Sequence, residues 1–359
     1  MAKSSILFLP DISGYTKFVQ TTEIEHSLHV ISELLEILIE ANTQDFVLAE
    51  IEGDALFFYK EEVPSQEKLL AQVETMFTAF YSHLKLLENN RICPCNACSS
   101  AVNLELKIII HAGPLQFIEV KGNRKPFGKE VIEVHRLMKN SVNSDSYVLL
   151  SQNLSQELKL SDNYSSTLFN FDKGEDEYDG QSVPYIYSKL DQSHLKLKPF
   201  QYSKSIEFDK APEILHEMKF NRSASVVLEY ITNYKFRHHW VKGFEKFEYN
   251  ENEVTRKGTE HTCVINGKHL DFVAVTKDGK PDELVYGELT SNIPFTDKVY
   301  QFFVIKPLTN TSCMLTFEMK IENQVFWKKW FVALILKPSI KKNTYKALEQ
   351  LHDFLEQEK

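Results

Sequence analysis

The chain has 359 residues, 43% of them hydrophobic and 25% charged, which is ordinary for a globular protein and long for a single domain. Its formal net charge of -9 argues against a nucleic-acid-coating protein, since phosphate neutralisation needs clustered Lys and Arg, but leaves room for a local patch that takes a small anion. No apolar run approaches the roughly 18 residues of a membrane span, and the first apolar run is cut by Pro10 and Asp11 too early for a signal peptide, so a cytoplasmic protein without a membrane span is expected.

The first strand is Ser5 to Leu9. Ile24, Leu28, Ile31, Leu34, Leu35, Leu38 and Ile39 then recur at helical spacing and predict an amphipathic helix over Glu23 to Ala41. Phe46 to Ala49 and Ala55 to Tyr59 read as strands around Glu50 to Asp54. A second helix, about Gln66 to Glu88, carries the core stripe Leu69, Leu70, Val73, Met76, Phe77, Phe80, Leu84 and Leu87. Leu104 to His111 alternates as a strand, with Leu115 to Val120 as its expected hairpin partner. A helix over Lys129 to Asn140, the strand Tyr147 to Leu150 and short strands ending near Leu190 follow. This order, β, α, β, β, α, β, is that of a ferredoxin-like α+β sheet with helices on one face.

Residues 1–190 thus form a first domain, and the polar, lysine-rich segment 191–211 a linker. Residues 212–359 follow a different pattern: a strand from Ile214, a helical stretch Ala224 to Trp240, six further strands with turn signals such as Asn266-Gly267, and a helical region Val325 to Glu358 interrupted at Pro338. An antiparallel sheet wrapped on a long C-terminal helix encloses an apolar space, which is either a ligand pocket or a filled core. Phe272, Phe302, Phe317, Phe326 and Trp330 are the expected lining.

Two acids break otherwise apolar strands, Asp11 in FLPDISGYTKF and Asp54 in EIEGDALFFY, each beside a glycine. Such residues serve as turn or helix caps, or as oxygen ligands for a divalent ion beside a polyphosphate. Cys93, Cys95 and Cys98 are close enough in sequence for zinc if a fourth ligand such as His83 or His111 folds near, or are idle loop thiols. His238, His239, His261 and His269 are acid–base candidates or ordinary core and surface histidines.

The motif order Asp11-Ile12-Ser13-Gly14-Tyr15-Thr16, Gly53-Asp54, His111-Ala112-Gly113 and Gly128 through Arg136-Leu137 resembles the catalytic domain of class III nucleotidyl (adenylyl or guanylyl) cyclases, of the DUF2652 type. The resemblance implies Mg²⁺ or Mn²⁺ on Asp11 and Asp54, contacts to a nucleoside triphosphate from Ile12, Ser13, Gly14, Tyr15 and Thr16, and Arg136 as the catalytic arginine. It also implies a homodimer in which Arg136 reaches the partner's aspartates. The family's ribose-orienting asparagine is Ile132 here, and its base-reading pair is Glu50 and Lys125, where Lys125 facing Glu50 could form an ion pair that closes the base pocket. The expectation is a signalling or sensor protein with a degenerate cyclase-like domain, the alternative being an active cyclase. Residues 212–359 resemble the START-like (SRPBCC) helix-grip superfamily, which implies a hydrophobic ligand.

Overall fold

The computed structural model describes residues 4–199, 205–208 and 211–357, apart from 244, 252, 266, 292, 294, 324, 326–329 and 331. The chain divides into two compact units, Met1–Leu86 with Ser100–Phe200, and Leu87–Ser99 with Gln201–Lys359.

In the first unit, β1 (Ser5–Ser13) is buried along its whole length, as a near-continuous apolar run requires of a central strand. It is followed by α1 (Tyr15–Thr21), α2 (Ile24–Glu40), β2 (Val47–Glu52), β3 (Ala55–Lys60) and α3 (Gln66–Asn90). After the short α4 (Asn96–Ser100) come β4 (Glu105–Gly113), β5 (Gln116–Val120), β6 (Asn123–Phe127), α5 (Lys129–Leu137), β7 (Tyr147–Ser151), α6 (Gln152–Glu157), β8 (Asp172–Tyr178) and β9 (Gln181–Lys189). The main sheet has the order β2-β3-β1-β4-β7-β9-β8, and β4 with β7 is its parallel pair.

Strand parity divides the core. Leu7 and Leu9 share one face with Phe57, Tyr59, Ile109 and Leu149, and α5 packs there through Val134 and Leu137. Ile6, Phe8, Phe58, Ile108 and Ile110 point the other way and are equally buried. A helix therefore lies on the face bearing Leu7 as well, which the one-faced expectation did not allow for. The predicted stripe of α3 is buried throughout, but Ile24 and Leu28 of α2 are 69% and 63% exposed, and His26 and Val30 are buried instead. A second correction concerns β5. It pairs with β6 in a separate two-stranded ribbon and not with β4, because the chain turns again at Lys121-Gly122, both with positive φ.

The second unit is a seven-stranded antiparallel sheet built from β10 (Ile214–Phe220), β11 (Lys246–Glu248), β12 (Glu260–Ile265), β13 (Lys268–Val275), β14 (Leu284–Thr290), β15 (Lys298–Thr309) and β16 (Ser312–Glu322). Its order is β10-β16-β15-β14-β13-β12-β11. The helical stretch after β10 breaks at Asn233 into α7 (Ala224–Thr232) and α8 (Arg237–Trp240). The last helix, α9 (Lys337–Gln357), follows a π turn over Val332–Leu336. Pro338 does not interrupt it. The proline is the second residue of the helix, directly after the π turn, where the hydrogen-bond register changes. Leu348, Leu351 and Leu355 of α9 pack with Ile231, Phe303 and Leu315 into one core.

Candidate functional site

Asp11 and Asp54 come together through backbone pairing. The Cα of Asp11 is opposite Ala55 in the β1–β3 ladder, and the Ile12 N–H donates to the Asp54 carbonyl at 3.2 Å. Both side chains line an open cleft of about 940 Å³, together with Glu52, Ile132, His135, Arg136 and Asp179. Burial raises the Asp11 carboxyl above the ordinary carboxylate range, with Lys107 opposing. Burial and then the Asp11 charge push the Asp54 carboxyl up to about 6. A carboxylate whose proton affinity is raised by burial and by a neighbouring carboxylate is short of positive charge, which is the electrostatic condition a bound cation relieves.

Part of that charge is supplied by Lys107 of β4, whose Nζ lies 3.5 Å from Asp11 Oδ1. Sequence reading missed it, although a lysine inside the run LKIII was a visible break in an apolar strand. Arg136 lines the same cleft as both aspartates of its own chain and is ion-paired with Asp179. Asp179 reaches it from the tip of the β8–β9 hairpin, an Asp-Gly turn with positive φ at both residues. Ile132 is 56% exposed on the cleft wall and offers no hydrogen bond there.

Glu50 and Lys125 are joined by an ion pair of 2.8 Å between β2 and the ribbon strand β6. Ile12 is fully buried and its N–H is engaged by Asp54. The buried Ser13 hydroxyl has no hydrogen-bond partner among the described residues, while Gly14, in the left-handed region at φ 88°, turns the chain into α1 with Tyr15 and Thr16 half-buried and exposed.

His111 and Gly113 act structurally. His111 is fully buried on β4, and its Nε2 lies 2.8 Å from Glu130 Oε2 at the start of α5, with Glu133 Oε1 3.8 Å from Nδ1. A Cβ on Gly113 would fall 2.5 Å from Glu130 Cδ, so the glycine makes room for the carboxylate that ties α5 to the sheet. His83 is likewise engaged, 2.8 Å from Glu33. The two histidines considered as partners for the cysteines thus hold carboxylates. The Sγ atoms of Cys93, Cys95 and Cys98 lie within 4.8 Å of one another. Hydrogen bonding to Cys93 and Cys95, with burial, drives the Cys98 thiol far up.

In the second unit, a cavity of about 430 Å³ lies between the sheet and α9. Phe272 and Phe317 line it as expected, but Phe303 replaces Phe302, whose ring is on the opposite sheet face against Phe208. Trp330 is 57% exposed, and Phe326 lies outside the described residues. Arg237, His261 and Glu288, all at most 5% exposed, form a polar end that sequence reading did not anticipate as a group. Arg237 and Glu288 are 51 positions apart, and no local pattern announces such a pair. Of the other histidines, His238 and His239 meet at 3.8 Å with their rings tilted by 41°, and His239 stacks on Phe354 at 4.3 Å.

Residues 31–147 match the family described as "Protein of unknown function (DUF2652)". An uncharacterised protein of Mycobacterium tuberculosis is 30% identical over 125 residues, 35% of this chain, and the match spans 58% of that relative's length. Among solved structures, the catalytic core of a rhodopsin-guanylyl cyclase in complex with ATPαS is similar at 15% identity and a TM-score of 0.39, over 53% of this chain and 97% of that one. Norcoclaurine synthase from Thalictrum flavum, in complex with dopamine and hydroxybenzaldehyde, is similar at 16% identity and a TM-score of 0.32, over 41% of this chain and 87% of that one. Among the described residues no helix is long and apolar enough to cross a membrane.

Proposed function

We propose that the first unit is a nucleotidyl-cyclase-type domain that binds a nucleoside triphosphate with Mg²⁺ or Mn²⁺ and turns it over weakly or not at all. In the same reading the second unit binds a hydrophobic small molecule, and the chain works as a sensor or signalling protein. The observation that carries it is the pair Asp11 and Asp54, held together at one end of β1 and β3 and undercompensated for charge. These two carboxylates would hold the cation, which when bound supplies charge neutralisation and polarisation at phosphate oxygens. Arg136, on the wall of the same cleft, is placed to orient a phosphate, and its release from Asp179 exchanges one anion for another. Lys107 weakens cation affinity by neutralising part of Asp11. Ile132 leaves a ribose hydroxyl without an anchor, and losing one such contact costs about 10²- to 10³-fold in rate.

An active cyclase is the second reading, favoured by Arg136 sharing a cleft with both aspartates. Under either reading a homodimer is proposed, twofold pairing being the commonest assembly. Convergence of the three thiols supports zinc at Cys93, Cys95 and Cys98.

Titration of a non-hydrolysable GTP or ATP analogue with and without Mn²⁺ tests the proposal: Mn²⁺-dependent binding that Asp11→Asn abolishes is expected, and no binding at millimolar nucleotide refutes it. Turnover separates the two readings. Ile132→Asn should raise cyclic-nucleotide formation by about 10²-fold over a near-zero baseline, whereas robust activity in the unchanged protein establishes the second reading.

A further inference from the structure

Arg237, Lys242, Lys346 and Glu288 are the lysines, arginine and acid that line the second unit's cavity among the described residues, and burial sorts them into two groups. Arg237 and Glu288 are at most 5% exposed and are paired with each other. Glu288 also accepts from the Tyr286 hydroxyl at 2.7 Å and from Gln301 Nε2 at 2.5 Å, while Arg237 Nε donates to the Ile231 carbonyl at 3.1 Å. Burial lowers the pKa of neighbouring His261 to about 4, so its ring is neutral at physiological pH. The buried end of the cavity therefore carries no net charge, and its ion pair already has its hydrogen bonds.

Lys242, just after α8, and Lys346, on α9, are different. Both are exposed, and neither is ion-paired among the described residues. The cavity thus has a neutral interior and two uncompensated positive charges at its solvent-facing rim. A cleft of low-dielectric walls with charge of one sign concentrates the field of that charge and draws in the opposite ion. The walls are supplied by Trp240, Phe272, Phe303, Phe317 and Leu348, and the volume of about 430 Å³ suits a small-molecule ligand. Chemistry then selects by position. An ionic group pushed inward would lose its hydration and find Arg237 already neutralised by Glu288. At the rim it keeps its water and meets two ammonium groups. A cation there is repelled by both lysines, and an uncharged group gains nothing from either.

We infer that this cavity takes an amphipathic anion, its apolar body against the aromatic and aliphatic walls and its one anionic head group at the rim with Lys242 and Lys346. The inference rests on the reading of the second unit as a ligand-binding domain and adds to it the charge class of the ligand and the two residues that select it.

One alkyl chain with three head groups tests it: decanoate, 1-decanol and decylammonium, titrated against the full chain and against its double variant Lys242→Gln with Lys346→Gln. Both lysines are exposed, so the variant should melt as the unchanged protein does. Decanoate should bind most tightly and decylammonium least. The decanoate-to-decanol affinity ratio should fall about fivefold or more in the double variant, the size expected of two solvent-facing charge contacts. A second readout needs no variant: the same ratio should fall in about 1 M salt, where contacts of this kind are screened. Decanol or decylammonium binding as tightly as decanoate overturns the anionic class and leaves the ligand-binding reading standing. A ratio unchanged by the two substitutions, or unchanged by salt, overturns the lysine rim. If none of the three probes binds, the ligand-binding reading itself fails and the inference with it.

Discussion

Asp54 and Glu288 are both carboxylates facing a cleft, yet their proton affinities are shifted in opposite directions. Asp54 stands beside a second carboxylate with Lys107 as the nearby cation, and its proton affinity rises to a pKa of about 6. Glu288 is far more buried, and burial alone would raise it too, but Arg237, then His261 and the Tyr286 hydroxyl, outweigh that and hold it below the ordinary range. The first arrangement is unfinished and invites a cation from outside. The second carries its own cation. Sites that exchange ions and sites that hold a permanent frame can thus be told apart by whether the charge sum closes within the chain.

The largest effect should come from opening the closed sum. Arg237→Met leaves Glu288 buried and unpaired, and a loss of about 3–5 kcal/mol is expected in chemical denaturation. Pairing it with Glu288→Leu should recover most of the loss, and a double variant as unstable as the single one would mean that packing, not charge, sets the cost.

The pH dependence sharpens the contrast, because the two units should respond with opposite sign. His261 has a folded pKa of about 4 against an ordinary 6.5, so the unfolded chain binds more protons between those values and stability is lost as pH falls from about 6.5 to 4. Asp54 has a folded pKa of about 6 against 3.8, so the folded chain binds more protons in that window and stability is lost as pH rises from about 4 to 6. In thermal melts across this range, His261→Phe should flatten the first slope and Asp54→Asn the second. Asp54→Asn should also melt higher than the unchanged protein at pH 7, by an amount that saturating Mn²⁺ in the latter offsets. Equal slopes in both variants would remove the distinction.

The smallest effect belongs to Glu50–Lys125, with both side chains 44% exposed. Lys125→Ala should cost no more than about 1 kcal/mol at low salt and nothing measurable in 1 M salt. Its value to the comparison is as a control for an ion pair that is neither closed off nor waiting for a metal.

The periodicity of α3 and the apolar run of β1 were legible because a buried stripe and a central strand each impose a pattern within one segment. The meeting of Asp11 with Asp54 was legible for a related reason: each acid is locally out of place in its own strand. Lys107 was equally out of place. What it touches depends on which strand lies beside β4, and that is a non-local fact. The choice between Phe302 and Phe303 failed differently. Adjacent aromatics on one strand face opposite sides, and composition cannot say which side is the cavity. β5 alternates convincingly, but alternation names no partner.

The ribbon of β5 and β6 carries a consequence for the Glu50–Lys125 pair. Lys125 sits on a two-stranded ribbon outside the main sheet, and a lone hairpin has little stability of its own. Its moorings include the Phe117 ring against Tyr59 at 5.3 Å and the exposed Arg124–Glu61 and Lys125–Glu50 pairs, while Arg124 over Phe117 at 3.5 Å ties the two ribbon strands to each other. Amide hydrogens of residues 116–127 should therefore exchange far sooner than those of β1 and β4, through opening of the ribbon as a whole. One half of the Glu50–Lys125 pair is then borne by the edge strand of the main sheet and the other by a ribbon of low local stability. Under the proposed nucleotide-binding reading, selectivity there would be tuned by substitutions under Phe117 that never touch a nucleotide.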